Sequence, residues 1–163
     1  MPVNVNTKPK AAIVSGFFSP LHAGHLDMIE AASELADHLI VIVNNNDQQL
    51  AKKGQLIIDE QVRLRIVKAL RVVDDAFIAV DEDRTVSASL RLAAEKYGDR
   101  YQLLFANGGD RIPEYVPEAT VCEECGIEMV FGVGGDKKVD SSSRINLALG
   151  VETEASAAPS ETT

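Results

Sequence analysis

Strand-like and helix-like segments alternate along this chain so regularly that few folds accommodate them. Ala11 to Ser15 is a short apolar run closed by Gly16, the pattern of a strand buried on both faces. From Gly24 to Asp37 the apolar residues Met28, Ile29, Ala32, Leu35 and Ala36 recur at helical spacing. His38 to Val43 reads as a second buried strand, stopped by Asn44-Asn45-Asn46-Asp47, and a loop is expected from there to Ile58. Asp59 caps a helix whose inward stripe is expected to be Val62, Ile66, Ala69, Leu70 and Val73. Phe77 to Val80 is a third strand. Val86, Leu90, Ala93 and Tyr97 line the next helix, which Gly98 is expected to end in the left-handed conformation. Tyr101 to Ala106 is a fourth strand, broken by Asn107-Gly108-Gly109-Asp110. A short helix around Pro117 to Cys125 ends at Gly126, and Ile127 to Val133 is a fifth strand. Ser141-Ser142-Ser143 then caps a last helix carrying Ile145 and Leu147 to Leu149.

Repeated strand, helix, strand implies an α/β fold: a parallel sheet with right-handed crossovers and helices on both faces. The expected architecture is a doubly wound five-stranded sheet of order 3-2-1-4-5. In such a sheet ligands bind beyond the carboxyl ends of the strands, where the chain reverses direction. The loops there are residues 16–25 and 107–111, the two most unusual stretches of the sequence.

With 163 residues the chain holds one domain with a core of its own. The expected division is a flexible N-terminus over 1–9, a domain over 10–150 and a disordered acidic tail over 151–163, whose only charges are Glu152, Glu154 and Glu161. A net charge of −9, from 16 basic and 25 acidic residues, makes nucleic acid an unexpected partner, because duplex binding draws on many Lys and Arg contacts to phosphate. No apolar run approaches the roughly 18 residues of a membrane span, so no membrane partner is expected. The polar start and the two cysteines, Cys122 and Cys125, suit a reducing compartment, and the expected address is the cytoplasm. Those cysteines are read as helix surface or packing.

The chemistry concentrates in Gly16-Phe17-Phe18-Ser19-Pro20-Leu21-His22-Ala23-Gly24-His25, which leaves a strand and enters a helix. Gly16 allows a tight turn and Gly24 a close approach of backbone to ligand. A helix start presents free N–H groups and partial positive charge, suited to phosphate. His22 and His25, three apart, share one face there, and two imidazoles can donate hydrogen bonds to phosphate oxygens. Zinc would need a third ligand, which neither His38 nor the distant cysteines supply. No G-x-G-x-x-G follows the first strand, which argues against a dinucleotide oxidoreductase.

The G-x-F-x-P-x-H-x-G-H pattern resembles the signature of the HxGH nucleotidyltransferase superfamily, and the resemblance extends over about residues 11–147. Asp37 to Asn44, Lys52-Lys53, Glu60-Gln61-Val62-Arg63 and Val72-Val73-Asp74-Asp75 are similar to landmarks of its cytidylyltransferase-like branch, which includes glycerol-phosphate cytidylyltransferase. Gly108-Gly109-Asp110 resembles the Gly-Gly-Asp of heptose-phosphate adenylyltransferases. Ser141 to Ile145 resembles the Ser-Thr-rich opening of their last helix. Ser19 stands where many members have Asp. Asp136, followed by Lys137 and Lys138, stands near where an Arg is common. Pro20 is shared with the pyridine-nucleotide adenylyltransferase branch.

The resemblance implies a Rossmann-like fold and transfer of an NMP from ATP or CTP to a phosphorylated sugar, polyol or amino alcohol, with release of pyrophosphate. It implies that His22 and His25 bind the triphosphate and stabilise the transition state at the α-phosphorus. Lys52 or Lys53 would reach the α-phosphate or the attacking phosphate, and Arg63 would hold the acceptor's phosphate. Gly16, Phe17, Phe18 and Gly24 would lie along the nucleotide. Asn107, Gly108, Gly109, Asp110 and Arg111 would border base and ribose. Ser141, Ser142 and Ser143 would belong to the nucleotide site, Ser141 at the capped start of the last helix and Ser142 and Ser143 holding β- and γ-phosphate oxygens. Mg²⁺ would bridge the phosphates, with no metal ligand assignable on the protein. Related enzymes are often oligomeric, so a homo-oligomer stays open here. The alternative expectation is a non-catalytic nucleotide-binding regulatory module.

Overall fold

The structure, a computed structural model, describes residues 8–108, 116–135 and 141–151. Five parallel strands, β1 (Lys10–Gly16), β2 (His38–Val43), β3 (Asp75–Ile78), β4 (Gln102–Gly108) and β5 (Glu128–Val133), form one sheet of order β3-β2-β1-β4-β5. The chain begins at the centre, winds outward to β3 and returns to β4, so the expected α/β architecture and its reversal between β1 and β4 are both present. The helices are α1 (Ala23–Glu34), α2 (Asn46–Lys53), α3 (Glu60–Lys68), α4 (Ser87–Tyr97), α5 (Ala119–Cys125) and α6 (Ser142–Ala148).

Side chains alternate across a strand, so each strand feeds two cores. Ala11 and Ile13 of β1 with Ile40 and Ile42 of β2 pack under Leu90, Ala93 and Tyr97 of α4 and Val121 of α5. Ala12 and Val14 with Leu39, Val41 and Val43 pack under Ile29 and Ala32 of α1 and Val67 of α3. Leu39 to Val43 are fully buried, and each such aliphatic contributes about 1.5–3 kcal/mol. That makes β2 one of the most strongly held strands and fixes the loop that follows it.

Several local expectations are corrected. The stretch read as a loop after β2 contains α2. Asn45 accepts from Gln48 N at 2.9 Å while Gln48 Oε1 accepts from Asn45 N at 3.0 Å, a reciprocal cap, and Gly54 ends the helix at φ 76°. The face α2 buries is polar (Gln48, Gln49 and Lys53), so it shows no apolar stripe. In α3 the expected stripe fails at Val62 and Ile66, which are 48% and 39% exposed, and at the exposed Ala69 that follows the helix, while Arg63 and Val67 turn inward. Gly98 is right-handed at φ −61°; it is needed because a Cβ there would stand 2.4 Å from Ala94 O.

Strand β4 runs on through Asn107 and Gly108, with a register shift between Ala106 and Gly108. Residues 8 and 9, expected to be loose, are tied: Gln102 N donates to Pro9 O at 2.9 Å and Lys8 Nζ to Gly98 O at 3.2 Å. The remainder of the expected N-terminal segment and tail, residues 1–7 and 152–163, lies outside the described residues, as do Asp136, Lys137 and Lys138. Among the described residues no helix is long and apolar enough to cross a membrane.

Candidate active site

The corner between β1 and α1 is built on Gly16. A Cβ there would come 2.8 Å from the Phe18 ring, which folds back against it with Phe18 at φ 53° and 3% exposed. The Ser19–Pro20 peptide is cis. The Phe18 ring meets His25 edge-on, with centroids 4.9 Å apart.

His22 is extended and caps α1: its Nδ1 accepts from Gly24 N at 3.1 Å. His25, in the first turn, returns the favour, its Nδ1 accepting from His22 N at 3.2 Å. This is a capping box made of two imidazoles in place of Ser and Glu. An N–H aimed at each Nδ1 requires that nitrogen to be an acceptor, so a neutral ring carries its proton on Nε2. The rings stack with centroids 3.7 Å apart and planes 29° apart, so the two Nε2–H donors come as a pair. His22 is 8% and His25 3% exposed, and the Nε2 atoms of both rings are buried.

Two other elements close on this corner. Helix α6, capped by Ser141 Oγ on Arg144 N at 3.0 Å, is fastened to the motif loop. Ser142 Oγ donates to Pro20 O at 3.0 Å, and the buried Asn146 Nδ2 to Ser19 O at 3.1 Å. From the end of α2, Lys53 Nζ donates to Ser143 Oγ at 2.7 Å, and Lys52 Nζ lies 4.2 Å from the centre of the Phe17 ring. Gly16, Phe17, Phe18, His22, Gly24, His25, Lys53, Ser141, Ser142 and Ser143 are thus brought to one neighbourhood.

Arg63 is placed differently from the expectation. It is fully buried. Its Nη1 donates to Phe17 O at 2.9 Å and Asn44 O at 2.6 Å, Nε to Ile58 O at 2.9 Å and Nη2 to Asn46 Oδ1 at 3.1 Å. Burial lowers its pKa, and Glu60 and Asp59 oppose that. A guanidinium so consumed is a brace between the motif loop and the end of β2, in place of an open phosphate contact. It is the reason α3 turns a cation inward.

Asn107, 1% exposed, donates through Nδ2 to Phe105 O at 3.2 Å and Val130 O at 3.3 Å, while Oδ1 finds no partner among the described residues. It stands at the end of β4, across the reversal from Gly16. Gly108 pairs with Val133 in the sheet. Gly109, Asp110 and Arg111 lie outside the described residues.

The sequence reading missed a set of carboxamides. Asn45 Nδ2 donates to Ala79 O and Asp81 O, both at 3.0 Å. Gln48 Nε2 donates to Asp83 O and Thr85 O, both at 2.8 Å. Together they bolt α2 to the loop after β3. The Asn45/Gln48 capping spacing was the available signal. Cys122 is buried and Cys125 partly so, both as free thiols; burial, then Glu118, pushes the Cys122 thiol up to about 12. A cavity of about 330 Å³ between Lys8, Tyr101 and Cys125 lies at the opposite end of the sheet from the histidines.

Among the described residues no three His, Cys, Asp or Glu side chains are placed to hold a metal ion. The gathered groups are imidazole, ammonium and hydroxyl, whereas Mg²⁺ prefers carboxylate and phosphate oxygens. That donor set fits a cation carried by the phosphates of a nucleotide.

A sequence model described as cytidylyltransferase-like matches residues 13–149. The chain is 36% identical to the "Bifunctional protein HldE" of Pasteurella multocida over 80% of its own length and 24% of that protein. It is 36% identical to the "FAD synthase" of Ferroglobus placidus over 45% of its length and 48% of that protein. It therefore spans about a quarter to a half of these relatives. The fold is similar to the crystal structure of the lipopolysaccharide core biosynthesis protein from Thermoplasma volcanium (TM-score 0.60, 22% identity, covering 81% of this chain and 99% of that one).

Proposed function

The chain belongs to the cytidylyltransferase-like family of nucleotidyltransferases, and from that premise we propose that it moves an NMP from ATP or CTP onto a phosphorylated small molecule. The acceptor is a sugar, polyol or amino-alcohol phosphate. Its phosphate oxygen attacks the α-phosphorus in line, the bond to the β-phosphate oxygen breaks, and pyrophosphate leaves. No protein nucleophile is required, so catalysis is positioning and charge neutralisation.

The observation that carries this reading is the imidazole capping box. It commits both Nδ1 atoms to backbone N–H groups, so that neutral rings carry their protons on Nε2, side by side at a helix start. Those donors stabilise charge building on the α-phosphate and the leaving pyrophosphate. Lys53 adds a cation and Ser143 supplies a hydroxyl to the outer phosphates, while Ser142, whose hydroxyl proton goes to Pro20 O, holds α6 against the motif loop. Phe17, Phe18 and Asn107 flank the nucleotide. Arg63 acts through Phe17 and Asn44, holding the motif loop in place. Mg²⁺, when bound, neutralises phosphate charge.

The test follows phosphorus. With ATP or CTP and a panel of phosphorylated acceptors, ³¹P NMR should show pyrophosphate and a new pyrophosphate diester joining the α-phosphorus to the acceptor. Nucleotide binding without turnover on every acceptor would instead favour a regulatory module.

A further inference from the structure

We propose that Gln49 is a specificity-determining residue that accepts a hydrogen bond from a hydroxyl of the acceptor, so that the acceptor is a phosphorylated sugar or polyol. This rests on the nucleotidyltransferase reading above.

Two consecutive glutamines of α2 are both 2% exposed. Gln48 is fully used: Oε1 accepts from Asn44 Nδ2 and Asn45 N, both at 3.0 Å, and Nε2 donates to two carbonyls of the loop after β3. Gln49 is its internal control, because Gln49 Oε1 is buried with no hydrogen-bond partner among the described residues. A buried polar atom without a partner costs stability, so the chain gains nothing from a glutamine there unless something else supplies the donor.

Position says where that donor comes from. Gln49 lies four residues before Lys53, so the two share one face of α2, and both are buried while Leu50 and Ala51 between them are exposed. Lys53 Nζ reaches Ser143 Oγ, beside the motif loop that α6 grips. The two positions are about 6 Å apart along the helix axis, a span that an acceptor held at its phosphate by Lys53 covers with its ester group.

Chemistry narrows the ligand. A carboxamide is neutral and cannot neutralise phosphate, a task left to Lys53. Its oxygen selects N–H or O–H donors. Phosphocholine offers none outside its phosphate, whereas glycerol 3-phosphate and hexose 1-phosphates offer several. A site built to bond a hydroxyl discriminates strongly against an analogue lacking it.

The experiment compares wild type with Gln49→Met, nearly isosteric and apolar. With the best hydroxyl-bearing acceptor, Gln49→Met should lose at least tenfold in kcat/KM, mainly through the acceptor KM. KM for the nucleoside triphosphate should stay unchanged, and the melting temperature without ligand should be no lower. Toward phosphocholine the two proteins should not differ. Parallel arms with glycerol 3-phosphate and a hexose 1-phosphate tell polyol from sugar by which one loses the tenfold. Equal acceptor kcat/KM in both proteins overturns the role of Gln49 while leaving nucleotidyl transfer intact. Should wild type release no pyrophosphate with any acceptor, the function proposed above fails, and Gln49 is then judged by binding. Melting-point protection by either phosphate ester in wild type, absent in Gln49→Met, supports it; equal protection in both, or none in either, overturns it.

Discussion

The imidazoles of His22 and His25 stack with centroids 3.7 Å apart, and each turns its Nδ1 to a backbone N–H of the turn that carries them. One pair of side chains therefore ends the turn, starts the helix and fixes which nitrogens carry protons. Capping and catalysis can be separated by choice of substitute. Asn is among the best N-caps, so His22→Asn should keep stability within about 0.5 kcal/mol, whereas His22→Ala should lose about 0.5–2 kcal/mol. Chemical denaturation of the two variants checks this. Equal losses would show that the cap contributes little.

Arg63 holds Phe17 O and Asn44 O through one nitrogen. A lysine keeps the charge but lacks the fork. Arg63→Lys should destabilise by about 2–4 kcal/mol, since several buried carbonyls lose donors. It should also slow turnover, because the motif loop loses its brace. Urea melts read the first and pyrophosphate release the second; an unchanged midpoint would remove Arg63 from the account.

Gly16 faces the Phe18 ring at a distance that leaves no room for a methyl group. Phe18 is buried and its backbone is left-handed, so the ring has little freedom to yield. Gly16→Ala should cost about 1–3 kcal/mol by overpacking. It should also displace His25, which the same ring supports edge-on. A variant with wild-type melting temperature would contradict the packing described.

The alkaline limb of stability has a readable sign. Burial pushes the Cys122 thiol from 9.0 up to about 12, and burial with Asp75 pushes the Tyr97 phenol from 10.0 up to about 12. Unfolded, both ionise earlier than in the fold. The unfolded chain thus binds fewer protons between about pH 9 and 12, and stability falls as pH rises through that window. Melting temperature should hold steady up to about pH 9 and decline above it. In Cys122→Ala the decline should begin nearer pH 10, where Tyr97 takes over. A profile that rises from pH 9 to 11 would oppose this.

Much of the fold was legible because β1, β2 and β4 are short continuous apolar runs bounded by Gly or Asn, which read differently from the spaced apolar stripes of the helices. Helix α2 escaped because its buried face is Gln48, Gln49 and Lys53, which no hydropathy pattern flags. The inward turn of α3 was misread for the converse reason. Val62 and Ile66 look like a core stripe, yet it is Arg63 that turns inward and donates to the carbonyls of Phe17 and Asn44. The histidine pair was visible as a spacing. Its reciprocal hydrogen bonds, which set the protons, depend on backbone geometry and were not.

The most direct measurement is kcat for pyrophosphate release in His22→Asn and His25→Asn beside wild type, at saturating nucleoside triphosphate and acceptor. If paired Nε2–H donors stabilise the α-phosphate in the transition state, each variant should fall by about 10²–10³ while remaining folded. Folded variants that turn over at the wild-type rate would contradict the account.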